Sequence, residues 1–176
     1  FKAPSAEELA HDYLWRVHAH VPPRGEIGVF NRSHYEDVLI ARVDGLMPRP
    51  VWQARYRHIN EFERMLAESN IEVVKIFLHI SKAEQRRRFE ERIREPRKQW
   101  KFDPRDLEKR QQWPAYRLAF GEMLGRCNTR YARWYVVPSD RKWLRDLAVA
   151  QIMYATLTSL ALRFPPPRFN PRLRVR

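Results

Sequence analysis

Residues 73–84 read VVKIFLHISKAE, and this stretch decides the fold class. From Val73 to Ile80 the chain is rich in β-branched and large apolar residues, the signature of a short buried strand. Ser81 and Glu84 then form a capping box, so a helix opens at once, and Pro96 forces it to end by Glu95. The same unit recurs on both sides. Ile27 to Phe30 reads as a buried strand, followed by a second capping box, Ser33 to Glu36, and a helix to about Val43. Trp134 to Val137 reads as another, followed by a long helix capped by Asp140 and running to about Phe164. A third capping box, Ser5 to Glu8, opens a helix with Leu9, Tyr13 and Val17 on one stripe, which stops before Pro22 and Pro23. Trp52, Tyr56, Ile59, Phe62 and Leu66 keep a helical period, with Asn70 as the cap. Asp103, with Pro104 at the first helical position, opens a helix that Pro114 breaks or kinks and that continues through Tyr116, Phe120 and Leu124. Short apolar strands alternating with amphipathic helices predict an α/β fold, a parallel sheet with helices on both faces. One domain is expected over residues 1–164, with a basic, proline-rich tail over residues 165–176.

The chain has 176 residues, 44% hydrophobic and 12% aromatic, enough to bury a core and too apolar for a disordered segment. The single cysteine, Cys127, excludes a disulfide scaffold and suits a reducing, cytoplasmic setting. No secretory signal is expected, because no charged segment followed by an apolar run opens these residues. The longest uncharged run, Leu147 to Leu162, is short for a membrane span and reads as a buried helix. The six histidines share no metal-ligand spacing, so no zinc is expected.

Charge is the more informative quantity. Against 21 acidic residues stand 34 basic ones, 27 Arg and 7 Lys, for a net charge of +13. Arginine grips phosphate with a two-pronged fork, so this excess points to phosphate-rich partners. It is concentrated in Lys82 to Arg117, with 13 basic and 7 acidic residues, and in Arg163 to Arg176, with five arginines and no acid.

In an open parallel sheet, ligands gather beyond the carboxyl ends of the strands. After Phe30 comes the densest polar cluster of the chain, Asn31 to Asp37. Ser33 at a helix start leaves backbone N–H groups free for an anion, Arg32 can clamp phosphate, and Glu36 and Asp37 are oxygen ligands suited to Mg²⁺. The same residues can equally be a helix cap with a solvated acidic first turn. A second cluster interleaves Lys98, Lys101, Arg105, Lys109 and Arg110 with Trp100, Phe102, Trp113 and Tyr116. Cations for phosphates and flat faces for a base suit a cover over a nucleotide, although a solvated charged helix would look similar. Only five glycines are present, and none lies in a G-x-x-x-x-G-K phosphate loop.

Several stretches resemble the polyphosphate kinase 2 family: PSAEELAHDYLWRVH (4–18), FNRSHYEDV (30–38), WQARYRHINEFERML (52–66), FLHISK (77–82), PRKQWKFDPRDLEKRQQWPAY (96–116) and WYVVPSDRKW (134–143). The resemblance implies a P-loop kinase-like fold related to thymidylate kinases. It implies Mg²⁺-dependent transfer of a terminal phosphoryl group between inorganic polyphosphate and a nucleotide, ADP, AMP or both. On that likeness Asn31 to Asp37 is the Walker B region and the lid lies within residues 96–116. Arg32, Glu36 and Asp37 would be catalytic, with Glu36 and Asp37 holding Mg²⁺. Lys98, Lys101, Arg105 and Arg110 would join Arg32 in binding phosphate, while Asn31, Trp100 and Phe102 would face the nucleotide. Many members have Asp at the place of Asn31, which shifts metal binding toward the two acids. In the family a Walker A loop and a first strand precede the region matched by Phe1. These 176 residues alone are therefore expected to be inactive.

Two other readings compete with the phosphotransferase. One is a non-catalytic module binding polyanions or RNA through its charge; the other is a nucleoside monophosphate kinase using ATP. Under the phosphotransferase reading nucleic acid is not the expected partner, nor is a membrane. Self-association is open, because Ile152, Tyr154 and Leu157 fit either an oligomer contact or the core.

Overall fold

The computed structural model describes residues 3–168. Eight helices and two strands follow in order: α1 (Ala6–Ala10), α2 (Trp15–His18), α3 (Glu36–Val43), α4 (Arg49–Glu68), β1 (Lys75–His79), α5 (Lys82–Arg94), α6 (Arg105–Gln111), α7 (Trp113–Arg126), β2 (Trp134–Pro138) and α8 (Lys142–Ser159). A 3₁₀ turn, Pro96–Lys101, joins α5 to the segment before α6. The strands are parallel, with Lys75 opposite Trp134 and His79 opposite Pro138, and Ser139 extends the pairing through its N–H to the His79 carbonyl at 2.7 Å. The α/β class and the parallel pairing agree with the sequence reading.

The core is mainly a three-helix affair. Tyr35, Val38 and Leu39 around the start of α3 pack against Trp52, Tyr56 and Ile59 of α4 and Ala119 and Met123 of α7, with Cys127 behind them. A smaller cluster of Val17, Phe62 and Leu66 fastens α2 to the far end of α4. Asn70, with φ of 60°, ends α4 in the left-handed conformation expected of a C-terminal cap residue.

Several expectations need correction. Ile27 to Phe30 does not form a strand: Ile27 and Val29 are 67% and 89% exposed, and the described sheet contains only β1 and β2. A strand needs a partner edge, and this segment instead leaves the tight turn at Gly25 (φ 88°) and passes against Pro22. There a Cβ on Gly28 would sit 3.0 Å from the Pro22 ring, so a larger residue would have to push that ring aside by a few tenths of an ångström. Nor are both sheet faces covered among the described residues, since Leu78, Tyr135 and Val136 are exposed. The first helix is two helices, because the Asp12 carboxylate accepts from the N–H groups of Leu14 (2.9 Å) and Trp15 (3.2 Å) and restarts the chain. Ser33 does not cap α3. Its carbonyl accepts the Glu36 N–H at 3.1 Å, the donor a capping box would use, and the helix begins after Tyr35.

Ser81 does cap α5, accepting the Glu84 N–H at 3.0 Å. Asp140 does not cap α8; its carboxylate accepts the Ser81 N–H at 2.7 Å and so ties together the turns that follow the two strands. The Pro114 break falls as expected, with α6 ending at Gln111 and α7 opening at Trp113. Helix α8 ends at Ser159 and has no buried residue, so the uncharged run is an exposed helix with Tyr154 74% exposed. It touches the described chain mainly along β2, which covers too little of its surface to bury it. No described helix is long and apolar enough to cross a membrane. Most of the proposed tail, residues 169–176, lies outside the described residues.

Candidate phosphate site

The turn from Asn31 to Tyr35 and the first turn of α3 build the site. Arg32 has φ of 64°, a conformation that costs an L-residue about 1–3 kcal/mol and persists only where its surroundings impose it. Its side chain is exposed and makes no hydrogen bond among the described residues. Arg32 is nonetheless close enough to Glu36 to act on its carboxyl. Burial raises the Glu36 carboxyl above its ordinary range, Arg32 pulls it back, and Asp37 raises it further. The three residues singled out in the sequence are thus electrostatic neighbours.

Asp37 has a partner that the sequence reading missed. Arg55 of α4 donates from Nη1 to Asp37 Oδ1 at 2.5 Å and reaches the Asp37 carbonyl at 3.4 Å. Arg55 in turn lies over the Tyr13 ring at 4.2 Å, and the Tyr13 hydroxyl donates to the Arg55 carbonyl at 3.4 Å. Burial raises the Asp37 carboxyl, and Arg55 is the main influence opposing it. Glu36, by contrast, accepts no hydrogen bond among the described residues.

The residues present fit a magnesium ion of the substrate-bridging kind. Among the described residues no three His, Cys, Asp or Glu side chains converge into a closed metal cage. Glu36 and Asp37 are consecutive, half-buried residues of the first turn of α3, Glu36 without a hydrogen bond among the described residues and Asp37 with Oδ2 still available. Either suits Mg²⁺ of the kind that takes one or two carboxylates while waters and phosphate oxygens supply its remaining positions.

Helices α6 and α7 approach this site through two members of the second cluster, Lys109 and Tyr116, to which the resemblance assigned no phosphate or nucleotide contact. Lys109 forms an ion pair with Asp44 at the end of α3. Tyr116, in the first turn of α7, feels Asp44, Glu36 and Arg32, and burial is the main reason its hydroxyl is pushed up to about 12. The cations proposed to bind phosphate in residues 96–116 are largely engaged elsewhere. Lys98 pairs with Glu91 at 2.5 Å, Arg105 with Asp103 at 2.6 Å, and Arg110 donates to the Lys82 carbonyl and to Gln85 Oε1, both at 2.8 Å. Lys101 lies 5.0 Å from the centre of the Trp100 ring, which is 79% exposed, and Phe102 meets Phe89 edge-on at 6.0 Å. Among the described residues no hydrogen bond or ion pair joins Lys98, Lys101, Arg105 or Arg110 to Arg32, Glu36 or Asp37. Asn31 is exposed at the head of the same turn. A separate apolar groove of about 390 Å³ lies between the sheet and α7, lined by Phe77, Val136, Trp113, Tyr116 and Phe120.

Beneath the site is a buried polar network that the sequence reading also passed over. Glu63 of α4 is fully buried and Lys75 of β1 nearly so, with Lys75 Nζ 2.6 Å from Glu63 Oε2. Lys75 also donates to the Cys127 carbonyl at 2.7 Å and to the Tyr35 hydroxyl at 2.8 Å. The Tyr35 hydroxyl donates to Glu63 Oε1 at 2.8 Å, and His34 Nε2 lies 3.4 Å from the same oxygen. Burial lowers the Lys75 ammonium, against the pull of Glu63, and raises the Tyr35 hydroxyl. The available signal was a charged residue on each core-facing pattern. Glu63 is four residues from Ile59 and seven from Tyr56, and Lys75 opens the most apolar strand.

Comparison with known proteins agrees with the resemblance seen in the motifs. The model of the polyphosphate kinase 2 family matches residues 1–164. An AMP/ADP-polyphosphate phosphotransferase of Meiothermus ruber is 52% identical over 167 residues, covering 95% of this chain and 62% of the relative. An ADP-polyphosphate phosphotransferase of Rhodopseudomonas palustris is 46% identical, covering 94% of this chain and 61% of the relative. The crystal structure of polyphosphate kinase 2 from Arthrobacter aurescens TC1 superposes with a TM-score of 0.94 at 42% identity, covering 97% of this chain and 60% of that one. The chain therefore spans about three fifths of the length of the relatives it matches. It belongs to the polyphosphate kinase 2 family.

Proposed function

We propose that this chain carries the acidic half of a phosphotransferase site that moves a terminal phosphoryl group between inorganic polyphosphate and ADP or AMP. The reading rests on the placing of Arg32, Glu36 and Asp37 within six residues where the chain enters α3, with Arg32 exposed, Glu36 half-buried under its influence and Asp37 held by Arg55. The names of the relatives supply the substrate class. Family membership supports the reading of a P-loop kinase-like architecture with residues 96–116 as its lid, in a cytoplasmic enzyme.

In this reading Arg32, without a hydrogen bond among the described residues and held in an exposed turn, grips a phosphate oxygen with its fork. Glu36 and Asp37 would hold Mg²⁺, and Arg55 keeps one oxygen of Asp37 fixed so that the other is aimed. The ion supplies neutralisation of charge on the phosphates undergoing in-line displacement. Little covalent work falls to the protein. The contribution of these side chains is to place and neutralise the reacting phosphates, with Tyr116 and the α6–α7 junction closing one side. The G-x-x-x-x-G-K phosphate loop is absent from these 176 residues, and losing such a set of oriented donors lowers rates on the order of 100-fold or more. Transfer by the isolated chain should therefore be far below ordinary kinase rates, while phosphate binding persists.

The test separates binding from transfer. Calorimetric titration of the chain with tripolyphosphate in the absence of Mg²⁺ should detect binding that Arg32→Ala weakens and Asp37→Asn leaves largely intact. In a polypeptide that also supplies the phosphate loop, Asp37→Asn should abolish formation of ATP from ADP and polyphosphate. Equal binding by Arg32→Ala would refute the reading. So would transfer that needs ATP as donor when polyphosphate is omitted, or full activity in Asp37→Asn.

A further inference from the structure

We propose that Glu63 is a positioning residue for this site, acting through Tyr35 and His34 to hold the backbone of residues 31–36 in the turn that presents Arg32 and Glu36. The proposal rests on the phosphate-site reading above.

The strained backbone at Arg32 requires something nearby that over-determines it. The residues just C-terminal to Arg32 are held unusually well. Tyr35 is 4% exposed, with its ring edge-on to Trp134 at 4.8 Å and its hydroxyl on Glu63. His34 packs edge-on against Phe62 at 5.8 Å, tilts against Tyr35 at 4.7 Å and approaches the same Glu63 oxygen. Glu63 is thus the point on which both residues between Ser33 and Glu36 converge. It is itself immobilised, because Lys75 fills its other oxygen and directs its remaining protons to Tyr35 and Cys127. The ammonium further lies 5.2 Å from the centres of both the Tyr35 and Trp134 rings.

This network joins four elements: the entry to α3, the middle of α4, the start of β1 and the end of α7. Packing alone would be served by phenylalanine at position 35, since well-packed apolar groups commonly replace buried polar ones without loss. The hydroxyl and the carboxylate add direction, because a satisfied buried hydrogen-bond network admits one arrangement where an apolar contact admits several. Here the arrangement fixed is that of the residue immediately before Glu36 and three after Arg32.

The test uses Tyr35→Phe, which keeps the ring and deletes its bond to Glu63, with His34→Phe as a second variant that deletes the other. Amide hydrogen exchange and tripolyphosphate affinity in the presence of Mg²⁺ are measured on the same 176-residue chain. The expected result is exchange over residues 31–39 accelerated about tenfold relative to α4 and β1, with affinity weakened about tenfold. Acceleration equal across α4, β1 and residues 31–39, or unchanged affinity in both variants, would overturn the proposal and leave Glu63 a structural residue only. Arg32→Ala separates the two levels of inference. If Arg32→Ala loses binding while Tyr35→Phe and His34→Phe keep it, positioning fails and the phosphate site stands. If the unsubstituted chain does not bind tripolyphosphate, the site itself falls and the positioning role with it, even where exchange over residues 31–39 rises.

Discussion

Arg55 Nη1 lies 2.5 Å from Asp37 Oδ1, an ion pair that bridges the middle of α4 and the first turn of α3. Neither side chain is fully buried, so the pair is worth less as a source of stability than as a constraint on direction. Arg55 is also the main influence holding the Asp37 carboxyl down against burial. In Arg55→Ala the Asp37 carboxyl therefore rises further, and Mg²⁺-dependent tripolyphosphate binding should reach half of its maximum at a higher pH than in the unsubstituted chain. Arg55→Lys should restore part of that shift, because the charge returns without the planar fork. A titration series between about pH 4 and 8 checks both expectations, and an unmoved profile in Arg55→Ala would show that Asp37 takes no part in binding.

Removing Lys75 should do far more damage than removing any surface cation. Lys75→Met leaves Glu63 as an uncompensated buried carboxylate, a change that typically costs about 3–5 kcal/mol. The double variant Lys75→Met with Glu63→Gln should recover much of that loss, since it removes both charges. Urea unfolding of the single and double variants measures the difference. A single variant within 1 kcal/mol of the parent, on the order of an ordinary surface change, would contradict the buried pairing.

Glu36 offers a pH test of a different sign. Burial raises its carboxyl, so the folded chain holds this proton more tightly than the unfolded one. Its contribution to stability is complete below the ordinary glutamate range and declines as pH rises through the elevated folded value. Glu36→Gln removes that decline. The melting temperatures of parent and variant should coincide near about pH 4 and diverge toward neutrality with the variant the more stable, while its Mg²⁺-dependent binding falls. A variant less stable than the parent at neutral pH would mean that the Glu36 carboxylate is stabilised where it lies.

Much of this architecture was legible because short-range signals and tertiary packing agreed. Ser81 and Glu84 cap α5 as their spacing required, Pro114 parts α6 from α7, and the stripe from Trp52 to Leu66 faces the core. The failures have a common cause, in that each local signal was overridden by a contact distant in sequence or lacked the one it needed. Asp140 had the form of a helix cap but is drawn to the Ser81 N–H, 59 residues away. Ile27 to Phe30 had strand composition but no partner edge in the described sheet. At the candidate site, the FNRSHYED stretch put Arg32, Glu36 and Asp37 forward, since phosphate-binding residue types crowd into eight positions. Arg55, Glu63 and Lys75 were not found, because their meaning lies in whom they meet, and no spacing along one chain encodes that.

The two-stranded sheet has a consequence for handling these 176 residues by themselves. Each described strand pairs along one side only, and Leu78, Tyr135 and Val136 stand exposed beside the unpaired backbone. Such edges are templates for adventitious strand addition between molecules. Turbidity and light scattering should accordingly climb with concentration well before the helical core melts, and salt, by screening the mutual repulsion of a chain carrying +13, should hasten rather than prevent the clouding.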